Sequence, residues 1–141
     1  IIDTNIIISS LITPRSNLSN LIFHDLIRSR IIAPSFMFEE ILNKYDKIQS
    51  LTKLTDEQLK ELIFLLLKRV DFIDNDLISE KNQQLAYDLV KDIDPNDLLF
   101  VALSIQTGFK IWTGDLKLHQ GLKKKGFVNI ISTRELVQKL K

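Results

Sequence analysis

The chain has no cysteine in its 141 residues. That absence excludes disulfides and thiolate metal sites. Histidine is nearly absent too, with only His24 and His119, so any bound metal has to be held mostly by oxygen. Glycine and proline are scarce, at 4 and 3. No low-complexity linker and no internal repeat interrupt the chain, and its length suits a single domain over residues 1–141 with one core. An excess of one charge is also missing. Nineteen Lys and Arg against 18 Asp and Glu leave a net charge of +1, so a polyanion can be attracted only by a local patch. The longest apolar run, Leu62-Ile63-Phe64-Leu65-Leu66-Leu67, falls far short of the ~20 residues that span a membrane. No basic n-region of a signal peptide is present. With the lack of cysteine, this fits a reducing cytoplasm. The first residue is Ile rather than Met, so the chain is expected to lack its first few residues.

Short apolar runs alternate with longer helical stretches, which predicts an α/β fold. Ile1 and Ile2 read as the end of a buried strand. A helix is expected over Ser16 to Ser29, with Leu18, Leu21, Ile22 and Leu26 on one stripe. Ile31-Ile32-Ala33 reads as a strand stopped by Pro34. Ser35 can cap a helix running to about Gln49, with Phe38, Ile41, Leu42 and Tyr45 on its buried face. Thr55-Asp56-Glu57-Gln58 has the spacing of a capping box and opens an apolar helix through Leu67. Val70 to Ile73 reads as a strand and Ser79 to Lys91 as a helix. Asp94 and Pro95 then provide an N-cap and a first helical residue, for a helix ending near Gly108. Lys110 to Thr113 and Val128 to Ile131 complete the strands. Helices over Leu118 to Lys125 and Arg134 to Lys141 follow them.

Asp3 is the most awkward residue in this pattern. It is a carboxylate inside the apolar run Ile1 to Ile8, and burying an unpaired charge costs roughly several kcal/mol. Three further acids stand at junctions: Glu40 near the start of a helix, Asp97 just after Asp94-Pro95, and Asp115 after the strand ending at Thr113. In a parallel α/β sheet the carboxyl ends of strands share one edge with the starts of the following helices, and ligands bind there. Two carboxylates ~5 Å apart at an effective dielectric of ~20 repel by about 3 kcal/mol. Four gathered acids therefore need raised pKa values or a cation among them. An all-oxygen pocket suits Mg²⁺ or Mn²⁺. Each acid also has a plainer role. Asp94 is an N-cap by context, Asp97 a first-turn acid complementing the helix dipole, Asp115 a turn former and Glu40 a surface helix residue. Thr4 and Asn5 have the form of simple caps. Glu39 competes with Glu40.

The joint order is more specific than any of its parts. Ile2-Asp3-Thr4-Asn5 follows a first strand, an acid followed by Ile41 lies in the second helix, Asp94-Pro95-Asn96-Asp97 opens a late helix, and Trp112-Thr113-Gly114-Asp115 ends a strand. This order resembles the PIN domain family, in particular its toxin-like bacterial and archaeal members. The likeness covers essentially the whole chain, although residues 46 to 90 match only in length and class. It implies a three-layer α/β/α fold with a central parallel sheet, of PIN-like, Rossmann-like type. It also implies a metal-dependent endoribonuclease using Mg²⁺ or Mn²⁺. The resemblance carries a catalytic tetrad to Asp3, Glu40, Asp97 and Asp115, with Asp3, Asp97 and Asp115 holding metal. Asn5, Thr113 and Asp94 become supporting residues. It further implies the toxin of a toxin–antitoxin pair, a homodimer, and a partner antitoxin.

RNA binding needs cations near these acids. Lys117, Lys123 and Lys124 are the candidates closest in sequence to Asp115, although a lysine run is more often a solvated helix end. Arg15 and Arg28 are weaker candidates. Trp112 reads as core rather than as a base-stacking platform, and His24 and His119 as surface or partly buried polar residues. An Asp-nucleophile phosphatase would place a second acid two residues after the first, where this chain has Asn5. A phosphorylated receiver would need an acid pair at the first strand and a lone Asp at a mid-chain strand end. A non-catalytic RNA-binding or RNA-processing scaffold of the same fold stays open as the alternative to the enzyme.

Overall fold

The computed structural model describes residues 1–13, 17–24 and 31–140. The first surprise is α1 (Thr4–Ile12), a helix built largely from isoleucine and capped by Asp3. The β-branched run Ile6-Ile7-Ile8 looks like strand by propensity. Burial overrides that weak preference, because Ile6, Ile7 and Leu11 are inserted into the core. Its neighbour α2 (Asn17–Ile22) is the part of the expected Ser16–Ser29 helix that falls within the described residues. Leu26, Arg15 and Arg28 lie outside them.

Strand β1 (Ile32–Pro34) pairs in parallel with β2 (Asp71–Ile73), and β3 (Ile111–Trp112) pairs in parallel with β4 (Ile130–Ile131). The N-terminal segment joins the two pairs. Ile2 N donates to Ile32 O on one side, and Asp3 N donates to Trp112 O on the other, both at 3.0 Å. Ile2 also forms a parallel bridge with Trp112. The spatial order is therefore β2, β1, the Ile1–Asp3 segment, β3, β4. The chain first builds outward on one side of its own N-terminal segment and then returns to the other. Such a reversal opens a crevice at the carboxyl ends of the two strands that flank it, here at Asp3 and Thr113.

Between β1 and β2 lie α3 (Phe36–Asn43), α4 (Tyr45–Leu51) and α5 (Asp56–Leu67). Helices α6 (Glu80–Val90) and α7 (Leu98–Thr107) lie between β2 and β3. They are followed by α8 (Leu116–Lys124) and α9 (Thr133–Lys139). Helix α1 packs against α2, α3, α4 and α5, whereas α6 packs against α7 and α8, and α7 lies on β1 and β3. This is the helix–sheet–helix layering expected from the sequence. Helix α7 is buried along Phe100 to Ser104, as a helix covering the middle of a sheet should be.

Four local expectations need correction. The helix from Ser35 does not run to Gln49 but breaks at Lys44, giving α3 and α4. Ser35 does not cap it through its side chain. Asn75 does so from across the sheet, with Oδ1 accepting from Phe36 N while Asn75 N donates to Ser35 Oγ. Phe38 and Leu42 are not on the buried face, being 43% and 72% exposed; Ile41 is buried as expected, with Met37 and Ile48 beside it. Pro95–Asp97 is a 3-10 turn rather than the start of an α-helix, so Asp97 occupies the N-cap of α7 instead of its first turn.

The local signals otherwise hold. Thr55 and Gln58 form both bonds of a capping box. Ser132 and Glu135 form a second one at α9, which the same spacing rule would have found. Trp112 is buried, and its indole N–H donates to Thr133 Oγ1. Gly108 ends α7 at φ +76°, with open space where a Cβ would sit. The Gly108→Ala variant therefore meets only backbone strain. It should lose about 1–2 kcal/mol, read as a lower denaturation midpoint at unchanged m-value.

Candidate active site

Three of the four acids stand at helix N-caps around the crevice. Asp3 caps α1 by accepting from Asn5 N, and Asp115 caps α8 by accepting from Leu118 N at 3.2 Å. Asp97 caps α7 by position, but its side chain makes no capping bond. The capping preference of Asp puts a carboxylate at each helix start, and the sheet reversal brings the starts together. Asp94 accepts from Asn96 N and holds the 3-10 turn that aims Asp97.

Two threonines tie the acids to one another. Thr113 is 1% exposed. Its Oγ1 donates to Asp3 Oδ2 at 2.6 Å and accepts from Asp115 N at 3.0 Å. Thr4, equally buried, donates from Oγ1 to Glu40 Oε1 at 2.7 Å. Thr113 was anticipated as a supporting residue. Thr4, which the sequence suggested only as a cap, fixes the fourth acid. Nothing local reveals this, because its partner lies 36 residues away. The same bond separates the two adjacent glutamates: Glu40 is half-buried against Thr4, while Glu39 is exposed. Asn5 is exposed at the mouth of the crevice.

The electrostatics show that the acids crowd one another. Burial pushes Asp97 up to about 8, with further upward pushes from Asp3, Asp94, Asp115 and Glu40. Burial likewise raises Asp3, opposed by the Thr113 and Asn5 hydrogen bonds; Asp115 raises it further and Lys44 lowers it. Glu40 is raised by burial and by Asp3 and Asp94, and held back by Thr4 and Lys44. Among the described residues, Lys44 is the cation that draws Asp3 and Glu40 down, and none offsets Asp97.

Asp97 Oδ2 is buried with no hydrogen-bond partner. A buried carboxylate oxygen without a donor is costly, so this atom calls for a proton or a cation. Among the described residues, no group of three or more His, Asp or Glu side chains already stands close enough to hold one ion. Asp3, Glu40 and Asp115 are each held instead by a local donor. The all-oxygen donor set, the orphaned Asp97 oxygen and the surplus negative charge fit a hard divalent cation that keeps some of its own waters.

The other anticipated residues fall elsewhere. Lys117, Lys123 and Lys124 are exposed on α8, and the last two complement the C-terminal dipole of their helix. Lys125 is tied to α6 by donating to Leu89 O and pairing with Asp92. His119 faces Glu135 at 3.9 Å rather than the acids. His24 is exposed.

The sequence profile of the PIN domain matches residues 1–141, and the chain belongs to the PIN domain family. Proteins with this domain are typically nucleases and usually use divalent metals. No curated protein and no solved structure matches the chain. No described helix is long and apolar enough to cross a membrane.

Two expectations follow for metal-free protein. Thr113→Val strands Asp3 Oδ2 and Asp115 N together and should cost about 1–3 kcal/mol of stability. Asp97 binds its proton more tightly folded than unfolded. Its contribution to stability is complete below its ordinary value of 3.8 and is lost as pH rises through about 8. In EDTA, Tm should therefore fall as pH rises from about 4 to about 8, and Asp97→Asn should flatten that slope. An equally steep slope in Asp97→Asn would place the titrating group elsewhere.

Proposed function

We propose that this protein is a divalent-metal-dependent endoribonuclease whose site is the Asp3, Glu40, Asp97 and Asp115 cluster. The observation that carries this reading is the buried, partnerless Oδ2 of Asp97 amid three other acids. A phosphodiester is an anion, and it cannot approach four carboxylates unless their charge is offset. Asp3, Asp97 and Asp115 would hold Mg²⁺ or Mn²⁺. The ion supplies a Lewis acid that neutralises phosphate charge and makes bound water acidic.

The chain's own residues do the rest. Thr113 fixes Asp3 and the Asp115 backbone in one orientation, so two acids move as a unit. Asp94 fixes the turn that aims Asp97. Thr4 holds Glu40 by one oxygen, leaving the other to accept a proton from the attacking water and orient it. Asn5, exposed beside the acids, is placed to touch the substrate. The whole chain acts as one PIN-like domain.

The family likeness also suggests a setting, the toxin of a toxin–antitoxin pair acting as a cytoplasmic homodimer. Growth arrest on expression, relieved by a neighbouring gene, tests that part. A non-catalytic scaffold is the contrasting case: it would bind RNA and leave it intact.

Purified protein should cleave single-stranded RNA with Mn²⁺ or Mg²⁺ and stop in EDTA. Asp97→Asn should lose more than the roughly 10–100-fold that outer-shell changes cause, whereas Thr113→Val should fall within that range. Calorimetric titration with Mn²⁺ should show binding to the wild type and none to Asp97→Asn. Cleavage that proceeds equally in EDTA, or equally with Asp97→Asn, would overturn the assignment.

A further inference from the structure

A groove of about 220 Å³ opens beside the acids between α1 and α4. It begins at Asn5, which also borders a second hollow of about 290 Å³ shared with Asp115 and Gly114. Its floor is aliphatic, made by Ile8, Ile12, Ile48 and Leu51, and its rim carries Lys44 and Lys47. Both lysines are exposed. Among the described residues, neither makes an ion pair: those found join Lys60 to Asp56, Lys125 to Asp92 and His119 to Glu135.

Among the described residues neither lysine is tied to a carboxylate by an ion pair, although Lys44 lies near enough to the acids to draw Asp3 and Glu40 down. Lys44 follows Glu40 by one helical turn, the spacing of a stabilising helix pair, and yet it forms no salt bridge. It stands at the break between α3 and α4, where its backbone N–H closes the first helix. The break turns α4 so that Lys44 and Lys47, three residues apart, border the same groove. The lysines named from sequence, Lys117, Lys123 and Lys124, border neither hollow.

We propose that the α1–α4 groove binds the single-stranded RNA flank next to the scissile phosphate, with Lys44 and Lys47 contacting successive phosphates and the Ile8, Ile12, Ile48 and Leu51 floor receiving a base or ribose. The chemistry favours nucleic acid: regularly spaced anions meet two free ammonium groups, and a nucleoside presents the apolar face that the floor covers. The floor lacks the polar groups that read base edges, so binding there is tolerant of sequence. Asn5 is the one polar side chain at the junction with the acids. The proposal rests on the nuclease reading only for the direction of the strand past the acids; the groove's affinity for RNA stands apart from cleavage.

The test separates the two. Binding of a fluorescein-labelled ten-nucleotide RNA is followed by anisotropy in EDTA, where no cleavage occurs, over a range of salt concentrations. Each phosphate contact to a single strand contributes ~0.7 to the slope of log affinity against log salt. Lys44→Ala/Lys47→Ala should reduce that slope by ~1.4 and weaken binding about tenfold at low salt, and Lys44→Arg/Lys47→Arg should restore most of the affinity. Leu51→Glu, which changes the floor and neither lysine, should weaken binding as well. Unchanged affinity and slope in the Ala pair, with losses confined to Lys117, Lys123 and Lys124 variants, would overturn the proposal. If the Ala pair loses affinity but wild-type protein never cuts RNA, the groove stands and the nuclease assignment fails. If wild type cuts RNA and the Ala pair keeps an unchanged KM, the reverse holds.

Discussion

The hydrogen bond from Thr113 Oγ1 to Asp3 Oδ2 joins residues 110 apart in sequence, and the rest of the site is arranged around it. Asp3 is 4% exposed at the end of the central strand segment. Without a donor, its carboxylate would be as poorly satisfied as Asp97 Oδ2. Thr113 supplies that donor and at the same time accepts from the Asp115 backbone. One hydroxyl thus sets the relative position of two acids that come from different crossovers. The sheet makes this geometry possible, because Asp3 N also bonds to Trp112 O, one residue before the threonine.

Gathering acids is unfavourable in itself, and the fold offsets part of the repulsion without a cation. Asp3, Asp97 and Asp115 each sit at the positive end of a helix, α1, α7 and α8, where a negative charge gains typically 0.3–1 kcal/mol. Asp3 and Asp115 also take backbone N–H bonds from those helices. Asp97 gets the dipole without the bond, and burial together with the neighbouring acids pushes it up to about 8.

What could be read from sequence was what depends on neighbours within four residues. The Thr55–Gln58 capping box, the Asp94 N-cap and the Gly108 stop are signals of that kind, and the structure reproduces each. The junction positions of Asp3, Asp97 and Asp115 were legible for the same reason, since strand ends and N-caps announce themselves locally. What failed depends on distant partners. Helix α1 is assigned no element from sequence, because its β-branched isoleucines disfavour a helix locally and only the core decides for one. The break at Lys44 and the exposure of Phe38 and Leu42 depend on a helix start held by Asn75. Phe38 instead stacks on Phe72 of β2, with ring centroids 4.2 Å apart. Thr4 and Lys44 were overlooked because the carboxylate and the groove that give them meaning come from other elements.

The central position of the N-terminal segment has a consequence for timing. Within this domain the strand made first is the middle strand of the sheet, and its partner β3 is among the last. At ~5–20 residues per second, the 110 residues between Asp3 and Thr113 take roughly 5–20 s to make. Through that interval Asp3 has no donor from β3, and neither Asp97 nor Asp115 has joined it. Long-range pairing of this kind is slow and closes late. The nascent domain therefore stays without its acidic centre until the sheet is complete.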